Sequence, residues 1–334
     1  MHAGKRPIVV AAGLGLALLG GAGGAKAQAF DAERCLPGPA LGQLPADWSA
    51  RRRMVHAAVC EWAKFGFPTA VVREVPDDRI NRLPGELALS EPLSQAVPPS
   101  APPVPGVRRA VEVQVRFGRS ESDLSVYDRV AAYWSATSPG YARAAEASRR
   151  ERPRQPPGWW VAWSAAFTSW ALKGAGVDWI TPDDNHTAYL RSALTNRPAS
   201  VVTIDRYSPQ AGDLVCFPRL ATEGEADERA RPADFLARVR SGPPFPAHCD
   251  VVVRRNKRSL VVIGGNVKNA VTATVVPLNR SGRLVRTNVR PWTVGVSLGE
   301  AADPCARIES VTALPGWDAP TVADARSKAL GRAC

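Results

Sequence analysis

Gly158-Trp159-Trp160-Val161-Ala162-Trp163-Ser164-Ala165-Ala166-Phe167-Thr168-Ser169-Trp170 carries four of the ten tryptophans in a chain of 334 residues. Trp163, Ala166, Phe167, Trp170 and Ala171 recur at helical spacing and form one wide apolar stripe, as a buried helix requires. Pro156-Pro157-Gly158 breaks the chain before the helix, and Gly174 and Gly176 end it. Ser164 therefore falls in or near the first turn. Unpaired backbone N–H groups and the positive end of the helix dipole favour a developing anion there. A nucleophile at this point gains electrostatic help before any partner is counted. The competing reading makes Ser164 a helix cap or a silent residue among tryptophans.

Upstream, a polar and basic loop over 142–155 leads back to helical spacing over 126–136, through Val130, Tyr133 and Trp134. Before that, residues 107–117 alternate, with Val111, Val113, Val115 and Phe117 on one side of a predicted strand. The proline-rich run from Pro92 to Pro105 reads as a stiff connector or an exposed loop. Asp47-Trp48 to Phe65 reads as an amphipathic helix, with His56 as a surface or packing residue.

Downstream, Asp183-Asp184-Asn185-His186 marks a loop and a helix start. The period then changes. Turn chemistry over 207–213 precedes a short strand, Leu214 to Phe217. A charged excursion over 219–247, with one short helix, separates it from His248-Cys249-Asp250-Val251-Val252-Val253. Leu260 to Asn266, Val271 to Leu278 and Thr293 to Leu298 complete the strands. Helices followed by consecutive short strands imply an α+β layout with a small antiparallel sheet.

The ends speak of an address and a staple. Lys5 and Arg6, the apolar run Ile8 to Leu19, and Ala25-Lys26-Ala27 describe a signal peptide over 1–29. The mature chain is then expected to be periplasmic or secreted, with no stable membrane insertion. Six cysteines suit an oxidising compartment, and no Cys-x-x-Cys pair points to zinc or thioredoxin chemistry. Nearest-neighbour disulfides are expected: Cys35–Cys60, Cys216–Cys249 and Cys305–Cys334. The formal charge of +12 falls by three with Lys5, Arg6 and Lys26. A basic exported protein is drawn to anionic envelope polymers, and no motif for nucleic acid accompanies the charge.

Trp-Ser-Ala-Ala-Phe-x-Ser-Trp, Gly-Asp-Leu-Val-x-Phe, His-x-Asp-Val-Val and Gly-Gly-Asn occur in the order and spacing of a papain-like amidase domain. The chain resembles the CHAP group of cysteine- and histidine-dependent amidohydrolases/peptidases that cut peptidoglycan. It looks closer still to the bacterial family called domain of unknown function 2272. The resemblance implies N-terminal helices packed on a small antiparallel sheet, with the core over 125–298. Residues 30–124 form an N-terminal helix and connecting region, and 299–334 a C-terminal extension. It also implies Ser164 as nucleophile where the CHAP group has cysteine, His248 as general base, and Asn266 orienting the imidazole. A serine needs such a base within hydrogen-bond reach. His186, Asp250 and Trp163 are supporting candidates; strand alternation puts Asp250 on the face of His248.

Three readings follow. The first is an exported hydrolase of amide bonds in cell-wall peptides, without cofactor, whose partner is peptidoglycan or its peptide fragments. The second is a papain-like domain without catalysis that binds wall fragments or a protein. The third is a metal-dependent hydrolase using His186, His248 and Asp250, for which no metal-ligand spacing speaks.

Overall fold

The structure is a computed structural model that describes residues 30–31, 44–45, 47–75, 106–137, 162–219, 231–303, 306 and 308–310. Residues 1–29, where a signal peptide is expected, the proline-rich run, Trp159, Trp160, Cys35, Cys305 and Cys334 lie outside them. The helices among these residues are α1 (Ala50–Lys64), α2 (Tyr127–Trp134), α3 (Ser164–Gly174), α4 (His186–Thr195) and α5 (Pro232–Ser241). The strands are β1 (Phe30–Asp31), β2 (Thr69–Glu74), β3 (Ala110–Arg116), β4 (Ser200–Thr203), β5 (Leu214–Pro218), β6 (Ala247–Arg255), β7 (Ser259–Val267), β8 (Ala270–Pro277), β9 (Val294–Ser297) and β10 (Ile308–Ser310).

The α+β layout holds, but the sheet is not small. It has eight strands in the order β3-β2-β8-β7-β6-β5-β9-β4. Nor is it purely antiparallel: β2 runs parallel to β8, with Ala70 opposite Thr274. The reason lies before residue 125. There β2 and β3 pair antiparallel with each other, and β2 then docks on the free edge of β8. Residues 30–124 thus add a helix and two strands to the sheet built by the later chain.

The edge strand β3 also departs from its alternation. Its buried residues are Ala110 and Glu112, the three valines are half-buried and Phe117 is exposed. The inward position goes to a carboxylate because Arg290 waits there to pair with it, at 2.8 Å.

Helix α1 is capped by Ser49, whose side chain accepts from the Arg52 N–H. It is not amphipathic but buried almost all round. Its polar residues find partners inside: Arg51 meets Asp213 at 2.5 Å, and Glu61 accepts from Arg129 and Tyr133 at 2.6 Å each. His56 is a packing residue, edge-on to Trp48 at 5.6 Å. Helix α3 starts at Ser164, with Trp163 as its N-cap, and Gly176 follows it in a left-handed conformation.

The sheet separates two apolar clusters, and β6 is buried on both faces. Cys249, Val251 and Val253 face the helices in the larger cluster, with Trp163, Phe167 and Leu190. Val252 faces the smaller cluster of Val215, Phe217, Val262 and Trp292. His248 and Asp250 share the parity of Val252 along the strand, so they leave the sheet on the side of Phe217 and Trp292.

Cys216 and Cys249 are directly opposite on β5 and β6 and form a disulfide, as expected from paired strands. Cys60 is also disulfide-bonded. Among the described residues no helix is long and apolar enough to cross a membrane. The Cys216–Cys249 bond closes a loop of 33 residues, for which chain entropy gives about 3–4 kcal/mol. Replacing both cysteines by alanine should lower the urea unfolding free energy by roughly that amount. An unchanged denaturation midpoint would show that the bond contributes nothing.

Candidate functional site

Ser164 opens α3 and is 2% exposed. Its Oγ lies 2.7 Å from Nε2 of His186, the first residue of α4. That position is fixed by Asn185, whose side chain accepts from Thr187 N and so caps α4. Nδ1 of His186 meets the Tyr189 hydroxyl at 2.5 Å, one helical turn further on. The Tyr189 hydroxyl in turn interacts with the side chain of Thr168. Thr168 donates to the Ser164 carbonyl at 3.2 Å.

These contacts tie both nitrogens of His186 to hydroxyl groups. With the proton on Nδ1, that N–H donates to the Tyr189 oxygen, and Nε2 keeps its lone pair for the Ser164 hydroxyl. With the proton on Nε2, that N–H donates to Ser164 Oγ, and the Tyr189 hydroxyl donates to Nδ1. Burial, followed by the charges of His248 and Arg219, pushes the His186 pKa well below its ordinary value of 6.5. The imidazole is therefore neutral near pH 7, with a proton on one nitrogen and a lone pair on the other. The N–H groups of Ser164, Ala165 and Ala166 have no intrahelical acceptor, and the first bond of the turn runs from Phe167 N to Trp163 O at 3.0 Å.

His248 belongs to a second, ionic cluster. Its Nε2 lies 2.7 Å from Asp250 Oδ1, and its Nδ1 is 3.2 Å from Nη2 of Arg219. A guanidinium can only donate, so Nδ1 accepts and Nε2–H donates to Asp250. Arg290 reaches the other Asp250 oxygen at 3.4 Å and Glu112 at 2.8 Å. Burial opposes ionisation of Asp250, but the His248 hydrogen bond and the two arginines outweigh it, and its pKa falls below the ordinary carboxylate value. Burial lowers the pKa of His248, against Asp250 and with Arg219 and Arg290.

The structure therefore brings Ser164 together with His186, and His248 with Asp250. The two imidazoles face each other with centroids 5.4 Å apart. Both nitrogens of His248 have partners other than Ser164. Asn266 sits in β7 at φ +56°, where the β7–β8 register shifts. No hydrogen bond joins it to His248 among the described residues. It serves the bulge ahead of the Lys268-Asn269 turn, whose positive φ values suit a two-residue hairpin. Trp163 stacks on Tyr133 at 5.5 Å and donates its indole N–H to Glu121, which anchors the start of α3. Among the described residues no three His, Cys, Asp or Glu side chains are grouped to hold a metal ion.

Gly264 and Gly265 make room on opposite faces of β7. A Cβ on Gly264 would collide with Asp250 Oδ1 and His248 Nε2. One on Gly265 would lie 2.5 Å from Phe167 Cβ. Sequence reasoning missed Tyr189, Thr168, Arg219, Arg290 and Glu112. Two local signals existed: Tyr189 follows His186 by three residues and Thr168 follows Ser164 by four, the spacings of helical neighbours.

Gly264→Ala should destabilise the fold by about 1–3 kcal/mol, as overpacking does, and separate His248 from Asp250; wild-type stability in urea would contradict this. The histidines also set a pH dependence. The pKa of His56 is lowered to about 4 by burial, then by Lys64 and Arg52, and those of His186 and His248 are lowered too. Each depressed group makes the unfolded chain bind more protons below its unfolded pKa of about 6.5. Stability should thus be complete above that pH and fall as the solution is acidified towards pH 4. His56 alone accounts for roughly 3 kcal/mol of the loss. Urea midpoints that stay level from pH 7 to pH 4 would refute it.

The family model described as an uncharacterized protein conserved in bacteria (DUF2272) matches residues 121–308. The matched span exceeds half of the chain and contains Ser164, His186, Arg219, His248, Asp250 and Arg290. No curated protein and no solved structure matches the chain. With the serine–histidine pair and all of the ionic cluster except Glu112 inside the matched span, the chain belongs to the DUF2272 family.

Proposed function

We propose that this chain is an exported serine hydrolase of amide bonds in cell-wall peptides, with Ser164 as nucleophile and His186 as its general base. The observation that carries the reading is the 2.7 Å contact between Ser164 Oγ and a histidine nitrogen at the start of a helix. In the reaction, His186 Nε2 takes the serine proton as Oγ bonds to the carbonyl carbon. The first-turn N–H groups of α3 stabilise the oxyanion that forms. His186 then returns the proton to the leaving amine, and water releases the acyl group by the same steps in reverse order of partners. Tyr189 orients the ring but carries no charge to balance the imidazolium, so turnover is slower than a carboxylate would allow. The wall-peptide substrate and the papain-like relationship rest on the ordered sequence motifs. The periplasmic or secreted location rests on the leader-like residues 1–29, and the disulfide is compatible with it.

A second reading is a papain-like domain that binds wall fragments or a protein without cleaving them. What favours it is His248, whose two nitrogens are held by Asp250 and Arg219.

A fluorophosphonate probe and a peptidoglycan digest separate the two. The hydrolase reading expects the probe on Ser164 and soluble fragments with new amino termini. Ser164→Ala should abolish both, and His186→Gln should lower kcat/KM by about 10²–10⁴-fold. No labelling and no fragments, with the protein still sedimenting with the wall, would establish the binding reading instead. Because burial depresses the His186 pKa, the acid limb of kcat/KM should lie below pH 6.5. An acid limb at or above that value would remove His186 from the base role.

A further inference from the structure

Arg219 follows β5, at the start of the charged excursion, and is half-buried. Among the described residues its side chain makes one hydrogen bond, from Nη2 to Nδ1 of His248 at 3.2 Å. Among the described residues no carboxylate lies within ion-pair distance of it. Arg51, Arg129 and Arg290 face carboxylates, while Arg191 and Arg255 give their side-chain N–H groups to backbone carbonyls; the Arg219 side chain has neither kind of partner among the described residues. Half-buried against a neutral ring, the guanidinium is partly desolvated, and an anion reaching its remaining N–H groups would offset that cost. Burial and then the positive charge of Arg290 lower its pKa from the ordinary arginine value, and the more distant Asp250 carboxylate opposes them. Among the described residues its other N–H groups have no hydrogen-bond acceptor.

The location gives this demand a direction. Arg219 holds His248, the His248 ring faces the His186 ring at 5.4 Å, and His186 touches the Ser164 hydroxyl. A group bound to the free edge of Arg219 is thus within about three residues of extended peptide from the acyl carbon at Ser164. Guanidinium and carboxylate match as a planar, two-bonded pair.

We propose that Arg219 is a substrate-binding residue that selects peptides bearing a free carboxylate close to the bond presented to Ser164. This rests on the hydrolase reading for its direction, but binding tests it without turnover. The probe is the mixture of soluble peptides released from peptidoglycan by a muramidase, used with free carboxylates or after capping them as methylamides. Calorimetric titration into the Ser164→Ala protein should show the free form binding at least about tenfold more tightly, the scale of one charge-assisted contact. Adding Arg219→Gln should erase the preference, and Arg219→Lys should keep part of it, with near-UV circular dichroism showing that each variant is folded. A preference that survives Arg219→Gln, or no binding of either form, overturns the assignment. A wild-type protein that shows the preference yet cleaves nothing keeps the assignment and removes the hydrolase reading. A wild-type protein that cleaves free and capped peptides equally, and does so after Arg219→Gln, keeps the hydrolase and removes the assignment.

Discussion

The contact between Phe167 on α3 and Gly265 on β7 sets the distance between helix and sheet. Any larger residue at 265 would push the helix outward, because core side chains are packed too closely to yield. Phe167 lies one turn beyond Ser164, so the same contact fixes where the first turn of α3 ends and where its hydroxyl lies. The aromatic stack of Trp163 on Tyr133, and of Tyr133 edge-on to Phe167 at 5.3 Å, secures the helix from the other side. Ser164 is thus positioned by apolar packing before any polar partner reaches it.

Two histidines meet at this place with different duties. His186 comes from the helical layer and, by its capped position on α4, reaches the serine. His248 leaves β6 on the opposite side of the sheet from Cys249 and is drawn into an ionic chain through Asp250, Arg290 and Glu112. That chain explains the widened sheet as well. Glu112 is delivered by β3, and β3 is held by β2 on the β8 edge. Asp250 is shared with His248 and lies 3.4 Å from Arg290, and β3 supplies a closer carboxylate, Glu112 at 2.8 Å. The fold extension and the charge balance are one solution.

Much of this was legible in the residues. The start of α3 at Ser164, the succession β5 to β9 and the Cys216–Cys249 bond follow from helical period, strand period and turn chemistry. The pairing of His248 with Asp250 follows from alternation along β6. What was hidden depends on contacts between distant segments. Nothing in residues 69–74 or 110–116 reveals that they join the same sheet, and the valines of β3 advertise a buried face that Glu112 occupies. The motif order directs Ser164 to His248, because both stand where a papain-like site would have its pair. The decisive fact, that His186 is the nearer imidazole, comes from how α4 lies across α3, which no local pattern encodes.

The central claim is that His186 presents a lone pair to the Ser164 hydroxyl, and the tautomer of one ring tests it. Long-range ¹H–¹⁵N correlation of the histidine side chains at pH 7, assigned with His186→Gln, reads that tautomer directly. The general-base role of His186 predicts a neutral imidazole with the proton on Nδ1, donated to Tyr189, and a bare Nε2. A proton on Nε2 would mean that His186 donates to Ser164, holding the hydroxyl in place instead of activating it, and the proposed chemistry would fall.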